Sequence, residues 1–361
     1  MTVDASKLEA FVGQVVGDLS ASYGIFTMSL GRKLGLYKAM AGAGPLSSAD
    51  VAERAGCAER YVREWLNSQA AGGYVAYDPK TGTYELPPEQ AFVLADETSP
   101  VHMPPAAEVI ASVWLDEEQS VEAIRTGKGV SWGEHNGRLF CGVAAFFRTG
   151  YQANLVANWL PALDGVTDKL KAGARVADVG CGYGHSTIIM AQAYPKSRFW
   201  GFDVHPDSVE AARRNAEEAG VADRVTFEVA KAKDFPAHGY DLVCFFDCLH
   251  DLGDPVGAAN HAFGALAPDG TVMLVEPFAN DKVEENLTPV GRLFYSGSTV
   301  LCCQHSLSEE VGLALGAQAG EGRLAEVFKE AGFGAFRRAT ETPFNLVLEA
   351  KKEAGAFSAA A

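Results

Sequence analysis

The chain lacks three features that would place it in other classes of protein. No apolar run reaches the ~18 residues that a membrane-spanning helix needs, so no membrane span is expected. Basic residues are outnumbered, because 30 Lys and Arg stand against 46 Asp and Glu and leave a formal net charge of −16. That charge disfavours a general affinity for nucleic acid or for an anionic membrane. A signal peptide is not expected either, since Asp4, Lys7 and Glu9 interrupt the start of the chain.

The seven cysteines show no regular spacing of the kind that marks a disulfide framework. Cys244 and Cys248 are four positions apart, and Cys302 and Cys303 are adjacent, so neither pair has the CxxC spacing of a zinc ribbon. Reduced, mostly buried thiols are therefore expected, as in a cytoplasmic protein.

With 361 residues and 48% hydrophobic content, the chain is long enough for two domains with sizeable cores. The pattern predicts a mainly helical first domain over residues 1–100 and an α/β domain over residues 166–361. Residues 101–165 are predicted to be a helical connector that caps a cavity. An insertion near residues 281–318 is predicted to supply further wall for that cavity.

The first domain has the pattern of a winged helix. Residues 5–42 carry apolar positions at three- and four-residue spacing, with Gly24 and Gly31 as candidate breaks between two helices. Ser47, followed three residues later by Asp50, predicts a helix start. A second helix from about Ala58, with Tyr61 and Trp65 on its apolar face, and a β-hairpin complete the pattern.

The charges of this segment disfavour DNA binding. Between Pro45 and Asp96 there are four basic and eight acidic residues, a balance of −4, whereas a DNA reader needs a basic face. The exposed apolar face predicted for the first helix suits either a homodimer seam or packing on the chain's own second domain. We expect a homodimer built mainly on residues 5–100.

From Gly173 onward, apolar strands alternate with helices, which predicts a parallel sheet covered by helices on both faces. The predicted strands are 175–179, 198–203, 225–229, 240–246 and 270–276, with a closing antiparallel pair at 336–339 and 345–350. In such sheets ligands bind beyond the C-terminal strand ends, at the switch point beside the first strand.

A glycine turn follows the first of these strands. It reads Asp-x-Gly-x-Gly-x-Gly from Asp178 to Gly184, and a second acid, Asp203, ends the next strand 25 positions after Asp178. Glycines belong where the backbone approaches a ligand closely or takes a positive φ, and the helix behind them offers free N–H groups. A glycine turn alone does not distinguish between nucleoside cofactors.

Together, the glycine turn and the second acid resemble motif I and the following acidic motif of class I S-adenosylmethionine-dependent methyltransferases. The resemblance implies a Rossmann-like, seven-stranded sheet and S-adenosylmethionine as cofactor, with S-adenosylhomocysteine as product. It implies Asp203 on the ribose hydroxyls, and it implies cofactor contacts at Asp178, Gly180, Cys181, Gly182, Val204, Ala232, Lys233, Phe246 and Asp247. The first domain resembles the winged-helix dimerisation domain of small-molecule methyltransferases, in an actinobacterial subgroup often labelled as regulators by sequence.

One motif departs from the family pattern. After the third strand the family usually has Gly-Asp-Ala, whose acid bonds the adenine amino group, but here Lys231 stands at that position. A lysine cannot accept that bond. The N–H of Ala232 remains available for adenine, and Asp234 is the candidate for the missing acceptor.

The pair His250-Asp251 after the fourth strand resembles the His-Asp pair of small-molecule O-methyltransferases, in which the histidine is the general base. A histidine with a pKa near neutrality suits the removal of a proton from a phenol or enol. The alternative is that His250 only caps the next turn. The predicted reaction is methyl transfer to a small aromatic or enolisable metabolite, with O-methylation favoured.

Polar and aromatic residues of the connector, the fifth strand and the insertion are candidates for the substrate wall. They are Trp132, His135, Phe147, Tyr151, Glu276 and His305. Two alternatives stay open. One is a metal-dependent C-methyltransferase of an α-keto acid, with His250, Asp251 and His305 as the two-histidine, one-carboxylate ligands. The other is a regulator that binds S-adenosylmethionine or a metabolite without catalysis.

Overall fold

The computed structural model describes residues 3–353, which fall into two units. One unit contains the residues up to 111 together with 141–149, and the other contains residues 112–140 and those from 150 onward. The segment 101–165, predicted as a connector, is thus distributed over both units.

The N-terminal elements are short, apart from the first helix. They are α1 (Ala5–Lys33), α2 (Leu36–Met40), α3 (Ser48–Ala55), α4 (Glu59–Ala71), β1 (Ala76–Asp78), β2 (Thr83–Glu85), α5 (Pro88–Leu94) and α6 (Ala106–Leu115). Ser47 and Asp50 form the predicted capping box at the start of α3, and β1 pairs antiparallel with β2. The predicted winged helix is therefore confirmed.

Helix α1 is continuous, which corrects the expected break at Gly24 or Gly31. Gly31 instead lies at a tight helix contact, because a Cβ built on it would come within 2.5 Å of the Trp65 ring and 2.7 Å of the Tyr37 ring. These two rings meet edge-on at 5.1 Å. Tyr61, predicted on the apolar face of α4, is 80% exposed instead.

The elements that follow build the second unit around one sheet. They are α7 (Glu117–Thr126), α8 (Arg138–Asn154), α9 (Leu160–Ala162), α10 (Val166–Ala172), β3 (Arg175–Val179), α11 (His185–Ala193), β4 (Arg198–Asp203), α12 (Pro206–Glu218), β5 (Val225–Val229), β6 (Tyr240–Phe246), α13 (Pro255–Ala265), β7 (Leu266–Pro277), α14 (Pro289–Gly297), α15 (Cys303–Ser308), α16 (Gly320–Glu330), β8 (Ala335–Glu341) and β9 (Asn345–Lys351). Residues 141–149 of α8 belong to the first unit, and the two ends of the helix belong to the second.

Seven strands form a sheet in the order β5-β4-β3-β6-β7-β9-β8. The five strands from β3 to β7 run parallel, and β9 lies antiparallel between β7 and β8. The predicted α/β class and seven-stranded sheet are confirmed. Strand interiors are fully buried on both faces, as expected for a parallel sheet that helices cover.

Strand β3 has β4 on one side and β6 on the other. The connections out of β3 and β6 therefore leave the sheet in opposite directions, and the C-terminal end of β3 is the switch point at which ligands bind in sheets of this kind. Residues that follow β3, β4, β6 and β7 converge there. Within residues 3–353, none of the helices is both long and apolar enough to span a membrane.

The contact at Gly31 generates a stability prediction with an internal control. Gly31→Ala should destabilise the protein by ~1–3 kcal/mol, because the new methyl group overpacks against Trp65 and Tyr37. Gly24→Ala lies in the same helix with nothing within 4 Å of its Cβ, and it should be neutral or stabilising by ~0.5–1 kcal/mol. Urea unfolding of both variants measures the difference, and equal effects would contradict the packing argument.

Candidate functional site

The turn after β3 is held against the neighbouring strand by its own backbone. Gly180, Gly182 and Gly184 all have positive φ, at 74°, 51° and 76°. The N–H groups of Gly180 and Cys181 donate to the Phe202 carbonyl at 2.8 and 3.0 Å. A Cβ at Gly180 would lie 2.8 Å from the Cys248 sulfur, so both conformation and space demand glycine there.

Asp203 closes this turn from the end of β4. Its Oδ2 accepts the Gly182 N–H at 2.9 Å, and its Oδ1 accepts the His205 N–H at 2.9 Å. A carboxylate has about four acceptor positions, so these two bonds leave lone pairs for a ligand. Burial raises the pKa of Asp203, and the two N–H donors work against that rise.

Asp178, the acid inside β3, anchors helix α11. Its Oδ2 accepts the hydroxyls of Ser186 and Thr187, both at 2.6 Å. Its Oδ1 is buried and has no hydrogen-bond partner within residues 3–353. Burial raises the pKa of Asp178 to about 6, and the two hydroxyl bonds oppose the rise. An unpartnered buried oxygen of this kind costs free energy unless a ligand or water donates to it.

His250 lies on the other side of the glycine turn, in a 3₁₀ turn (Leu249–Asp251) that follows β6. Its Nδ1 makes a short hydrogen bond to Oε2 of Glu276, and Oε1 of Glu276 accepts the Leu249 N–H at 3.0 Å. Both oxygens of Glu276 are thus bonded to this turn, and its predicted contact with the substrate stays a prediction. Glu276 therefore orients His250.

The second ring nitrogen of His250 is close to Asp251 without being aligned with it. Nε2 lies 3.0 Å from Asp251 Oδ1, an ion-pair distance, yet that buried oxygen has no well-formed hydrogen bond among the described residues. Because Glu276 holds the proton on Nδ1, Nε2 is the nitrogen that exchanges a proton.

Two carboxylates raise the basicity of His250. Burial by itself lowers the pKa of the ring, but Asp251 and Glu276 outweigh burial and hold that pKa well above its ordinary value. Conversely, burial alone would raise the pKa of Asp251, and the charge of His250 brings it below its usual range.

Three further residues gather between β3 and β7. Phe246 ends β6 in the core, and its ring lies 5.4 Å from that of Tyr151, which is also buried. Asp247 has a φ of 50°, a strained value for a residue other than glycine. Its Oδ1 accepts the Asn345 amide at 3.1 Å, while its Oδ2 is buried without a partner among the residues described. Burial raises the pKa of Asp247 well above its usual range, and Glu276 adds to the rise.

The residues predicted to contact the cofactor after β4 and β5 differ in their exposure. Ala232 is buried, whereas Val204 is 38% exposed at the start of the loop after β4. Lys233 forms an ion pair with Asp254 at 2.9 Å, so its ammonium group already has a carboxylate partner. Lys231 and Asp234 are both exposed.

The aromatic wall candidates of the second unit form a connected group. The Trp132 ring lies 5.9 Å from His305, 6.0 Å from Phe140 and 6.1 Å from His135. The backbone N–H of Trp132 donates to His305 Nδ1 at 3.1 Å. Phe140 stacks on His205 at 4.3 Å, next to Asp203. Phe147 belongs to the other unit, where it meets Phe146 at 5.3 Å, and its substrate role stays a prediction.

The predicted metal trio is not assembled as expected. Among the described residues, the side chains whose ligand atoms lie within 4.8 Å of one another are His250, Asp251 and Cys302, not His305. His305 lies outside this group, and its Nδ1 accepts the backbone N–H of Trp132. Cys302 ends a π-helical turn, Ser298–Cys302, that no sequence pattern announced. Burial raises the pKa of the Cys302 thiol to about 12, and Asp251 adds to the rise.

The geometry defines a class I methyltransferase fold with its ligand crevice at the C-terminal end of β3. Residues 170–332 match the family model described as a methyltransferase domain, and residues 21–96 match the Rv2258c-like winged HTH domain. The order of the two matches, a winged-helix domain before a methyltransferase domain, is the order that the sequence motifs predicted.

Among curated proteins, the chain is 36% identical over 107 residues to 27-O-demethylrifamycin SV methyltransferase of Amycolatopsis mediterranei. That match covers 29% of this chain and 39% of the relative, so the chain spans about two fifths of the length of the curated relatives it matches.

Two solved structures have the same fold over nearly their whole length. One is an O-methyltransferase family protein from Burkholderia thailandensis, with a TM-score of 0.67, 18% identity, and coverage of 99% of this chain and 100% of that one. The other is human N-acetylserotonin methyltransferase in complex with SAM, with a TM-score of 0.68, 17% identity, and coverage of 98% and 99%.

The ion pair at His250 generates a titration prediction. The ring should titrate well above 6.5 in the wild type, and Asp251→Asn should lower that pKa because one of the two facing carboxylates is lost. Histidine C2–H chemical shifts followed against pH measure both values. Asp254→Asn, at the ion pair with Lys233, serves as the control and should leave the His250 curve unchanged. A His250 pKa that ignores Asp251→Asn would contradict the geometry.

Proposed function

We propose that the protein is a methyltransferase that uses S-adenosylmethionine to methylate a small aromatic or enolisable metabolite, with oxygen as the favoured acceptor atom. The observation that carries this proposal is the pairing of Asp203 and His250 on either side of the glycine turn. Asp203 ends β4 and His250 lies in the turn after β6, and these strands are the two neighbours of β3. One side offers a carboxylate for a ribose, and the other offers a base for an acceptor.

Several residues fit the cofactor. The spare lone pairs of Asp203 suit two ribose hydroxyls, and the positive-φ glycines let the backbone approach closely. The unpartnered oxygens of Asp178 and Asp247 suit the amino group of the methionine part. The N–H of Ala232 suits adenine. When bound, S-adenosylmethionine supplies an electrophilic methyl group on its sulfonium.

In this mechanism His250 removes the acceptor's proton. Glu276 keeps the Nδ1 proton in place, so Nε2 would take the proton of the acceptor hydroxyl. S-adenosylmethionine would supply the methyl group for that oxygen, and S-adenosylhomocysteine would be the leaving group. Asp251 then stabilises the imidazolium across the 3.0 Å contact. Orientation of the acceptor supplies much of the remaining rate enhancement.

A second candidate is the metal-dependent C-methylation of an α-keto acid, with Cys302 in the position expected of His305. The observation that favours it is the close grouping of His250, Asp251 and Cys302. Glu276 would then orient a ligand histidine through its other nitrogen, a usual arrangement in metal sites. Metal analysis of protein purified without added ions tests this candidate. Cys302→Ser should lose the metal and Cys303→Ser should keep it.

We further propose a homodimer in which α1 contributes the seam. Six of its apolar side chains are between 41 and 61% exposed: Leu8, Phe11, Val12, Val15, Val16 and Leu19. An apolar stripe of this length on a soluble protein calls for a partner. DNA is a poor candidate, because both arginines of α4 pair with glutamates of the same helix, Arg60 with Glu64 and Arg63 with Glu59, each at 2.6 Å.

The cofactor assignment predicts the effect of Asp203→Asn. Affinity for S-adenosylmethionine should fall by about tenfold or more, because hydrogen bonds to a charged group contribute ~1.5–3 kcal/mol. Calorimetry measures the dissociation constant. Asp207→Asn, an exposed acid four residues further along, should bind like the wild type. Equal affinity of Asp203→Asn and wild type would refute the ribose assignment.

The base assignment predicts that His250→Gln reduces turnover by ~10²–10⁴-fold while leaving the cofactor's dissociation constant nearly unchanged. Wild-type activity should rise as the pH passes through the raised pKa of the ring, because a protonated ring cannot accept a proton. Methyl transfer from radiolabelled cofactor measures the turnover and its pH dependence. His238 is exposed, and His238→Gln is the control. Full activity of His250→Gln would exclude both the base and the metal role.

The dimer is tested by charge placed on the stripe. The double variant Phe11→Asp, Val15→Asp should be monomeric at micromolar concentration, since two carboxylates cannot be buried unpaired in an apolar seam. Light scattering after gel filtration measures the mass. Gln14→Asp in the same helix is the control and should remain dimeric. A wild type that is already monomeric would disprove the seam.

A further inference from the structure

His135 is paired with a carboxylate that the mechanism above does not use. Its Nδ1 lies 3.2 Å from Oδ2 of Asp116, and the His135 side chain is only 1% exposed. The same oxygen of Asp116 accepts the Asn136 N–H at 2.9 Å, which fixes the carboxylate. Because an ionised carboxylate only accepts hydrogen bonds, the proton of the neutral ring is on Nδ1.

The other nitrogen of His135 therefore carries a lone pair. Nε2 is buried and has no hydrogen-bond partner within the described part of the chain. A buried acceptor without a donor destabilises a protein, which points to a donor from outside the chain.

The rings around His135 connect it to the proposed site. A row of rings runs from Asp203 to His135: His205 follows Asp203, Phe140 stacks on His205, and Trp132 stands between Phe140 and His135. Trp132 also contacts His305, which helps to lower the pKa of Asp251 beside the base. His135 thus belongs to the aromatic group that adjoins both halves of the proposed site.

We propose that His135, oriented by Asp116, accepts a hydrogen bond from a second hydroxyl or N–H group of the acceptor molecule, apart from the group that is methylated. This inference rests on the proposed function and narrows its substrate class. The acceptor carries at least two hydrogen-bond donors, as a dihydroxylated or amino-hydroxylated ring does. Asp116 is a positioning residue, because it acts only by holding the proton on Nδ1.

The test uses the full chain saturated with S-adenosylhomocysteine and labelled with ¹⁵N-histidine. Long-range ¹H–¹⁵N spectra report the tautomer of each ring, and His135→Gln assigns the His135 signals. We expect a protonated Nδ1 and an unprotonated Nε2 in the wild type. Asp116→Asn should allow the other tautomer, because an amide can donate to Nδ1. A proton on wild-type Nε2 would overturn the proposal.

The ligand arm compares catechol, guaiacol and 1,2-dimethoxybenzene, which share one skeleton and lose hydroxyls stepwise. Catechol should shift the His135 Nε2 resonance saturably, and 1,2-dimethoxybenzene should not. Catechol should bind about tenfold or more weakly to His135→Leu, because its hydrogen bond to the ring is lost. Binding to the control, His238→Leu at an exposed site, should be unchanged.

The outcomes separate this inference from the proposed function. If catechol leaves the His135 resonance unmoved, or all three probes move it equally, His135 does not contact the substrate. The hydrogen-bond donor to its Nε2 is then an internal water. That result leaves methyl transfer intact. If catechol moves the resonance but no methyl group passes from S-adenosylmethionine to any acceptor, the hydrogen bond to His135 is supported and the proposed function is refuted.

Discussion

The buried carboxylate of Glu276 is the group on which the site depends. It accepts hydrogen bonds from the Leu249 N–H and from the Nδ1–H of His250. It therefore fixes both the backbone of the turn after β6 and the tautomer of the base. A charge with 2% exposure is tolerated only when it is paired and fully hydrogen-bonded. Loss of either partner would leave an uncompensated charge at the centre of the crevice.

The same constraint applies along the whole C-terminal edge of the sheet. Asp178, Asp203 and Asp247 lie at the ends of β3, β4 and β6, and burial raises the pKa of each. Asp178 and Asp247 each have one oxygen without a partner among residues 3–353, and Asp247 also has a strained backbone. Acidic groups held in this state gain most from a cationic ligand, which is the charge that a sulfonium and an amino group bring.

Much of this architecture was predictable because its signals are local. Periodicity and the glycine turn predicted the strands β3 to β6 to the residue, and Ser47 with Asp50 predicted the start of α3. The continuity of α1 was not predictable, because Gly31 is explained by the rings of Trp65 and Tyr37, which come from other segments.

The site residues, too, were predictable only where the signal is local in sequence. Asp203 and His250 follow strands, so topology alone brings them to one edge of the sheet. The partners of His250 and His135 are distant in sequence, and nothing in the spacing announced Glu276 as an orienting residue or singled out Asp116 at all. The π-helical turn that brings Cys302 to His250 in place of His305 likewise depends on tertiary packing.

A crystal structure of the full chain with S-adenosylhomocysteine would test the cofactor and base assignments together. We expect the ribose hydroxyls on the carboxylate of Asp203, the sulfur between the glycine turn and Tyr151, and the His250 ring facing the acceptor space beyond that sulfur. A cofactor bound elsewhere, or a ribose that leaves Asp203 without a ligand contact, would contradict these assignments.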